Sequence, residues 1–395
     1  MTTNAHQGRP SRTELGRVLM SGGALSSDWA PSYAAVPRAS FLPDLIWPWD
    51  MEAGSSVAVS REDDPEAWFG YADADVPIVT QWDDGRHTGT EPGTVSTSSA
   101  SMPSVVFRML NDLGVKPGNR ILEIGTGTGW NAALLAHRLR PENVTTVELD
   151  PVVAAAARTA LNAFGLSVQV INRDGLKGYP EGAPYDRIIV TCGLRSIPFT
   201  WVEQCRPGAV IVAPWGTHYG NGDAVARLIV AEDGRSASGH FVGPVEFMKA
   251  RTQRQPEVRH AEYVPDSVAD GDETASTVTE EQFLGGRFSP QDFAVGLCVR
   301  DCVQAIGARE DGTRAVWFYG LSDRSWACAQ FRDTGTTRVW QSGPRRLWDD
   351  VQAAFTWWAE QGRPGFDRFG LTVDTAGEHA WLDEPDNPVP GDAAA

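Results

Sequence analysis

The chain has 395 residues, 42% of them hydrophobic, with 34 Lys and Arg against 51 Asp and Glu, giving a formal charge of −17. That length exceeds one average domain and makes two the working expectation, while an acidic chain without a basic cluster argues against nucleic acid, whose phosphates reward grouped Lys and Arg. Five cysteines (Cys192, Cys205, Cys298, Cys302, Cys328) are odd in number and lack C-x-x-C spacing, so neither a zinc site nor a disulfide framework is implied, and a reducing, cytoplasmic setting is expected.

Taken in order, the chain opens with a polar tail, and Ser11 through Glu14 has the pattern of a capping box for a short helix reaching Leu19. Residues 31–82 are punctuated by proline, which favours extended segments and turns over helices. Residues 83–101 are rich in Gly, Thr and Ser, end in Thr97-Ser98-Ser99-Ala100-Ser101, and read as a loop. From Pro103 the pattern becomes regular. A helix to Leu113 carries Val106, Met109, Leu110 and Leu113 at helical spacing. Strands at 120–124, 144–149, 168–171, 185–191 and 209–213 then alternate with helices at 130–139, 151–164 and near 199–204. Such alternation implies parallel pairing in a doubly wound α/β sheet, with ligands at the carboxyl ends of the strands. No apolar run approaches the roughly 18 residues that a membrane helix needs.

The most informative stretch is Arg120 to Trp130, where an apolar run breaks into three alternate glycines at the start of a helix. Glycines 125, 127 and 129 let the backbone take positive φ and let a ligand lie against it, and the free N–H groups of the following helix favour an electron-rich partner. A dinucleotide fingerprint would place its third glycine one residue later, where Trp130 stands. Glu123, just before the turn, disfavours a pyrophosphate and suits a cation. The spacing therefore favours S-adenosylmethionine, whose sulfonium and ammonium are positive. Glu148-Leu149-Asp150 ends the next strand about 20 residues on, where ribose hydroxyls are usually held, and Asp174-Gly175 ends the one after, placed for an adenine amine.

After about residue 250 the composition changes. Residues 256–280 are polar and acidic, like a linker. Residues 284–395 hold seven of the fifteen tryptophans, β-type runs such as Ala315 to Tyr319, and an amphipathic helix near 345–361. His87, His218 and His240 lack metal-ligand spacing, and no metal is expected.

With these residues assembled, the chain resembles the protein-L-isoaspartate O-methyltransferase family over roughly residues 30–235. Val36-Pro-Arg-Ala-Ser-Phe-Leu-Pro43 resembles its N-terminal signature, Arg120 to Asn131 its cofactor motif, and Asp174-Gly175 with Pro184 to Ile189 extends the match. The resemblance implies a Rossmann-like class I methyltransferase sheet, to which the composition after residue 250 adds a C-terminal α+β domain: an N-terminal segment and substrate loop (1–100), a cofactor domain (101–250), a linker (251–283) and an accessory domain (284–395) expected to hold peptide. It also implies S-adenosylmethionine contacts at Glu123, Ile124, Gly125, Thr126, Gly127, Thr128, Gly129, Glu148, Leu149, Asp174, Gly175 and Thr191. Ser99 matches the serine of the family's Thr-Ile-Ser loop and is expected beside the methyl group, with Thr97, Ser98, Ser101 and Arg195 toward the substrate.

Three departures surround the peptide site. A 14-residue insert, Trp82 to Val95, precedes the serine run. Ala100-Ser101-Met102 replaces the family's Ala-Pro-His, and Cys192-Gly193-Leu194-Arg195 replaces its Ala-Ala-Ala-Pro. The serine-rich loop and the extra C-terminal domain resemble a branch of the family that methylates an aspartate of a modified, macrocyclic precursor peptide, a lanthipeptide or graspetide, in peptide natural-product biosynthesis. The ester then closes to an aspartimide. The alternative is repair of isoaspartyl residues in damaged proteins.

Overall fold

The computed structural model describes residues 11–51, 53–220, 222–264, 266–286, 288–333 and 337–391; most of the expected polar tail lies outside them. The chain groups into two compact units. The first comprises Met1–Cys192, Pro198–Val212 and Ile229–Ser236, and the second Gly193–Ile197, Ala213–Leu228 and Ala237–Ala395.

The first unit begins with α1 (Arg12–Ser21) and α2 (Ala30–Ala35), followed by β1 (Leu45–Asp50), β2 (Ser55–Ser56), β3 (Val59–Ser60), α3 (Pro65–Ala72), β4 (Ile78–Trp82) and β5 (Ser96–Ala100). Its regular part runs α4 (Pro103–Leu113), β6 (Ile121–Ile124), α5 (Trp130–Leu139), β7 (Val144–Glu148), α6 (Pro151–Ala163), β8 (Gln169–Asn172), β9 (Tyr185–Val190), α7 (Phe199–Glu203) and β10 (Cys205–Trp215, to Val212 in this unit). The strands lie in the order β10-β9-β6-β7-β8. All four pairings are parallel, with Leu122 opposite both Thr145 and Ile188. The sheet that the sequence predicts is present, because strands buried on both faces need near-continuous branched apolar residues. Ile121, Leu122, Ile188, Val190, Ile211 and Val212 have essentially no exposed surface, each worth roughly 1.5–3 kcal/mol of burial. Asp150 caps α6 by accepting from the backbone N–H groups of Val152 (2.9 Å) and Val153 (3.2 Å).

Two local expectations differ. The proline-punctuated stretch contains α2 and α3, because Pro31 and Pro65 sit in the first turn of each, where a missing N–H leaves nothing unpaired. Asp64 supplies the cap of α3. The serine run is a strand, β5, antiparallel to β4 with Val79 opposite Ser99 and Ile78 opposite Ala100.

The second unit takes up the chain in β11 (Asp223–Val230) and β12 (Ser236–Val245), then β13 (Asp272–Ser276), α8 (Glu280–Phe283), α9 (Pro290–Cys298), β14 (Cys302–Glu310), β15 (Thr313–Gly320), β16 (Trp326–Arg332), β17 (Thr337–Ser342), α10 (Leu347–Glu360), β18 (Phe369–Asp374) and β19 (Gly377–Leu382). One antiparallel sheet has the order β13-β17-β16-β15-β14, and β19, β18, β12 and β11 are successive neighbours in another. β13 and the cap of α8 fall within the stretch whose composition reads as a linker. Phe283, Val316, Phe318, Phe331, Trp348 and Val351 form one buried cluster, so several aromatics of this region are core. His240 lies in β12. Among the described residues no helix is long and apolar enough to cross a membrane.

Candidate active site

The site is built where β6 ends. Glu123 has no exposed surface, and its carboxylate accepts from Asn131 Nδ2 (2.6 Å) and Thr146 Oγ1 (2.6 Å). Thr146 is bonded in turn to Thr126 Oγ1 at 2.7 Å. Burial raises the Glu123 pKa from 4.5 to about 7 against the pull of these two donors, and the neighbouring Glu148 raises it further. An acid held in this state under a loop favours a cation above it.

The loop is shaped by glycine. Gly127 has φ of 53°, and a methyl group built on it would lie 3.2 Å from the Ser99 carbonyl oxygen. A side chain there would meet both a strained backbone and β5. The Gly127 N–H donates to Glu148 Oε2 (3.0 Å), while Glu148 Oε1 accepts from the Asp150 N–H (3.1 Å). Next to that carboxylate Leu149 is 42% exposed, an apolar platform suited to the flat face of a base. On the other side of the loop, Thr191 Oγ1 donates to the carbonyls of Ile124 (3.2 Å) and Gly125. Gly175 packs so tightly on Ile124 that a Cβ would lie 2.7 Å from its Cγ2, and Asp174 accepts from the Leu176 N–H (3.0 Å).

The expected cofactor residues Glu123 to Gly129, Glu148, Leu149, Asp174, Gly175 and Thr191 thus converge on the carboxyl ends of β6, β7, β8 and β9. The serine strand joins them through the Ser99–Gly127 approach. Its residues divide by partner: Thr97 Oγ1 donates to Gln81 Oε1 (2.8 Å) and accepts from the Asp84 N–H (3.2 Å), and Ser98 is bonded to Thr80 (3.2 Å), whereas Ser99 and Ser101 are half-buried. Arg195 belongs to the second unit. There its guanidinium meets the fully buried Asp223 at 3.5 Å and the Thr217 carbonyl, and Lys249 pairs with the other oxygen of the same aspartate. In this structure Arg195 therefore serves a buried ion cluster.

Sequence reasoning missed Arg38. It is 3% exposed and donates to the carbonyls of Ala74 (3.2 Å), Val76 (2.9 Å) and Ala100 (2.7 Å), tying the N-terminal signature to the entry of β4 and the end of β5. Its burial lowers its pKa to about 9. It also missed Gln81, whose amide donates to Asp150 Oδ2 (3.2 Å) and so fastens β4 to the cap of α6.

Comparison with known proteins bears on this arrangement. The model of the family described as protein-L-isoaspartate(D-aspartate) O-methyltransferase matches residues 68–254. The chain is 40% identical over 206 residues to the protein-L-isoaspartate O-methyltransferase of Ignicoccus hospitalis, covering 51% of this chain and 81% of that protein. It is equally identical over 222 residues to that of Hyperthermus butylicus, covering 53% and 77%. The chain belongs to the protein-L-isoaspartate O-methyltransferase family. With the Pyrococcus horikoshii member it shares 42% identity over 135 residues, spanning 60% of that relative's length and 34% of its own. A solved structure titled protein-L-isoaspartate O-methyltransferase has a similar fold, with a TM-score of 0.53 at 21% identity, covering 94% of this chain and all of that one.

The methyl donor of this family is S-adenosylmethionine, and the residues present fit it: a buried acid below the loop, a backbone cradle that a Cβ would fill, and a carboxylate and an exposed leucine at the next strand end.

Proposed function

We propose that this protein is a carboxyl O-methyltransferase that transfers the methyl group of S-adenosylmethionine to an isoaspartyl carboxylate of a peptide or protein. The observation that carries the reading is the buried Glu123 under a glycine loop pressed against the Ser99 strand, in a chain of this family. Bound there, S-adenosylmethionine supplies an electrophilic methyl carbon. The acceptor carboxylate is ionised at neutral pH and needs no general base, so the protein's task is alignment. Ser99 is assigned to orient the carboxylate, since a neutral hydroxyl donates a hydrogen bond without neutralising the attacking charge. Glu123 would hold negative charge near the donor's cation, and Glu148 would accept hydrogen bonds from the donor's hydroxyls.

A second reading is favoured by the folded insert between β4 and β5 and by the replaced segment at 192–195: the acceptor is the side chain of an unmodified aspartate in a macrocyclic precursor peptide. In that case the following backbone nitrogen attacks the methyl ester, methanol leaves and an aspartimide remains.

Mass spectrometry of S-adenosylmethionine reactions with a linear isoaspartyl peptide and with a cyclised aspartyl peptide decides between them. The first reading expects turnover of the isoaspartyl peptide. Turnover of the cyclised peptide alone transfers the assignment to the second, and methyl transfer to neither overturns both.

A further inference from the structure

The segment from Trp82 to Val95, read from the sequence as an insert, folds into a wall. Asp83 Oδ1 and Oδ2 accept from the N–H groups of Val95 (2.7 Å) and Thr94 (3.1 Å), closing the excursion on itself. Within it, His87 is bonded to the Glu91 carbonyl (2.7 Å), and Trp47 of β1 donates its indole N–H to the Thr90 carbonyl (2.7 Å). The rings of Trp47 and Trp82 meet edge to face at 6.3 Å, as do those of Trp47 and His87.

This wall bounds a cavity of about 430 Å³. The opposite side is the face of α6 that carries Val152, Val153, Ala156 and Ala160, and the end nearest the methyl-transfer centre is formed by Ser98, Gly127 and Thr128. The cavity shares Gly127 and Thr128 with the cofactor loop, but Glu123, Glu148, Asp174 and Thr191 do not line it. It is therefore a second compartment opening beside the loop. Indole rings, the Phe41 ring, the Pro43 ring and small aliphatic groups give it an apolar character. One unmet polar group stands in its wall: the Trp82 Nε1–H is buried without an acceptor among the described residues. Leaving such a donor unpaired costs about 1–3 kcal/mol.

We propose that this cavity is the specificity pocket for the acceptor, taking a large apolar or aromatic side chain next to the carboxylate-bearing residue. The inference rests on the proposed peptide methyl transfer. It follows from position, because a side chain seated between the insert and α6 leaves the neighbouring carboxylate at the Ser99–Gly127 approach. It follows also from chemistry, because the indole faces and aliphatic groups of the lining reward aromatic burial.

The test is isothermal titration, with S-adenosylhomocysteine present, of two cyclic peptides that carry one aspartate or isoaspartate flanked on both sides by phenylalanine or by alanine. The wild-type protein is expected to bind the phenylalanine peptide at least about tenfold more tightly. Ala156→Phe, an exposed helix position that fills the cavity, is expected to bring that ratio near one while thermal denaturation shows the fold intact. His87→Ala, which opens the wall without filling it, is expected to keep the preference. Equal affinities for the two peptides in the wild type overturn the proposal. So does a weakened S-adenosylhomocysteine affinity in Ala156→Phe with the peptide ratio retained, which assigns the cavity to the donor. A retained peptide ratio without methyl transfer leaves the pocket assigned and overturns the proposed reaction instead.

Discussion

Replacing Glu123 with glutamine separates what this residue does for the cofactor from what it does to the fold. The carboxyl is fully buried and its pKa lies near 7 against 4.5 when solvated, burial being the largest cause. The folded protein thus binds the Glu123 proton more tightly than the unfolded chain does. Stability from this group is complete below the unfolded value of 4.5 and is lost as pH rises through about 7. At 1.36 kcal/mol per unit, the ionised carboxylate costs the fold on the order of 3 kcal/mol at pH 8. Glutamine keeps the shape. Its amide oxygen can accept from Asn131, and the Thr146 hydroxyl can turn toward Thr126 or accept from the amide. Glu123→Gln should therefore be more stable than the wild type at pH 8, by about 2–3 kcal/mol, and little different at pH 4. The same change removes the negative charge beneath a cationic ligand, so S-adenosylmethionine should bind about 10- to 100-fold more weakly. Thermal denaturation from pH 4 to 9 and titration calorimetry with S-adenosylmethionine measure the two effects. A variant that is less stable at pH 8 and binds the cofactor normally would refute the reasoning, since Glu123 would then be an ordinary hydrogen-bond partner.

The remaining predictions concern other joints of the structure. Gly127→Ala places a Cβ at positive φ and 3.2 Å from the Ser99 carbonyl, and should cost about 1–2 kcal/mol together with a loss of cofactor affinity seen by calorimetry. Arg38→Lys keeps the charge but reaches one carbonyl where the guanidinium reaches three; about 2–4 kcal/mol should be lost, with faster amide exchange in β5, and unchanged exchange there would contradict the tie between the signature and the serine strand. In the second unit, burial raises the Asp223 pKa while Lys249 and Arg195 pull it down. Asp223→Ala strands both cations and should destabilise that unit by about 3–5 kcal/mol in denaturant unfolding, whereas a neutral result would mean that water reaches them.

The parallel sheet was legible because its strands are buried on both faces, and the branched runs that this requires stand out along the chain. The turn at Gly125, Gly127 and Gly129 was legible because alternate glycines after such a run permit the positive φ that all three adopt. The serine strand was hidden. Ser96 to Ala100 have weak β-propensity, and what makes them a strand is pairing with β4, a partner some 18 residues away across a polar insert. Arg38 was hidden for a related reason: an arginine in a turn reads as solvated, and only the three carbonyls that converge on it in space give it a use. Arg195 shows the opposite case. Its place where the family's segment has proline was visible, but Asp223 and Lys249, which lie far along the chain, take up its charge.

The clasp made by Asp83 has a consequence for how this protein can change. Because the residue at the start of the excursion binds the backbone at its end, the pairing of β4 with β5 is insulated from what lies between them. The closure entropy of a loop rises by only about 0.6 kcal/mol for each doubling of its length. Residues 86–92 therefore form an exchangeable cassette, whose length and side chains can be rewritten by evolution or by design without moving the serine strand from the glycine loop.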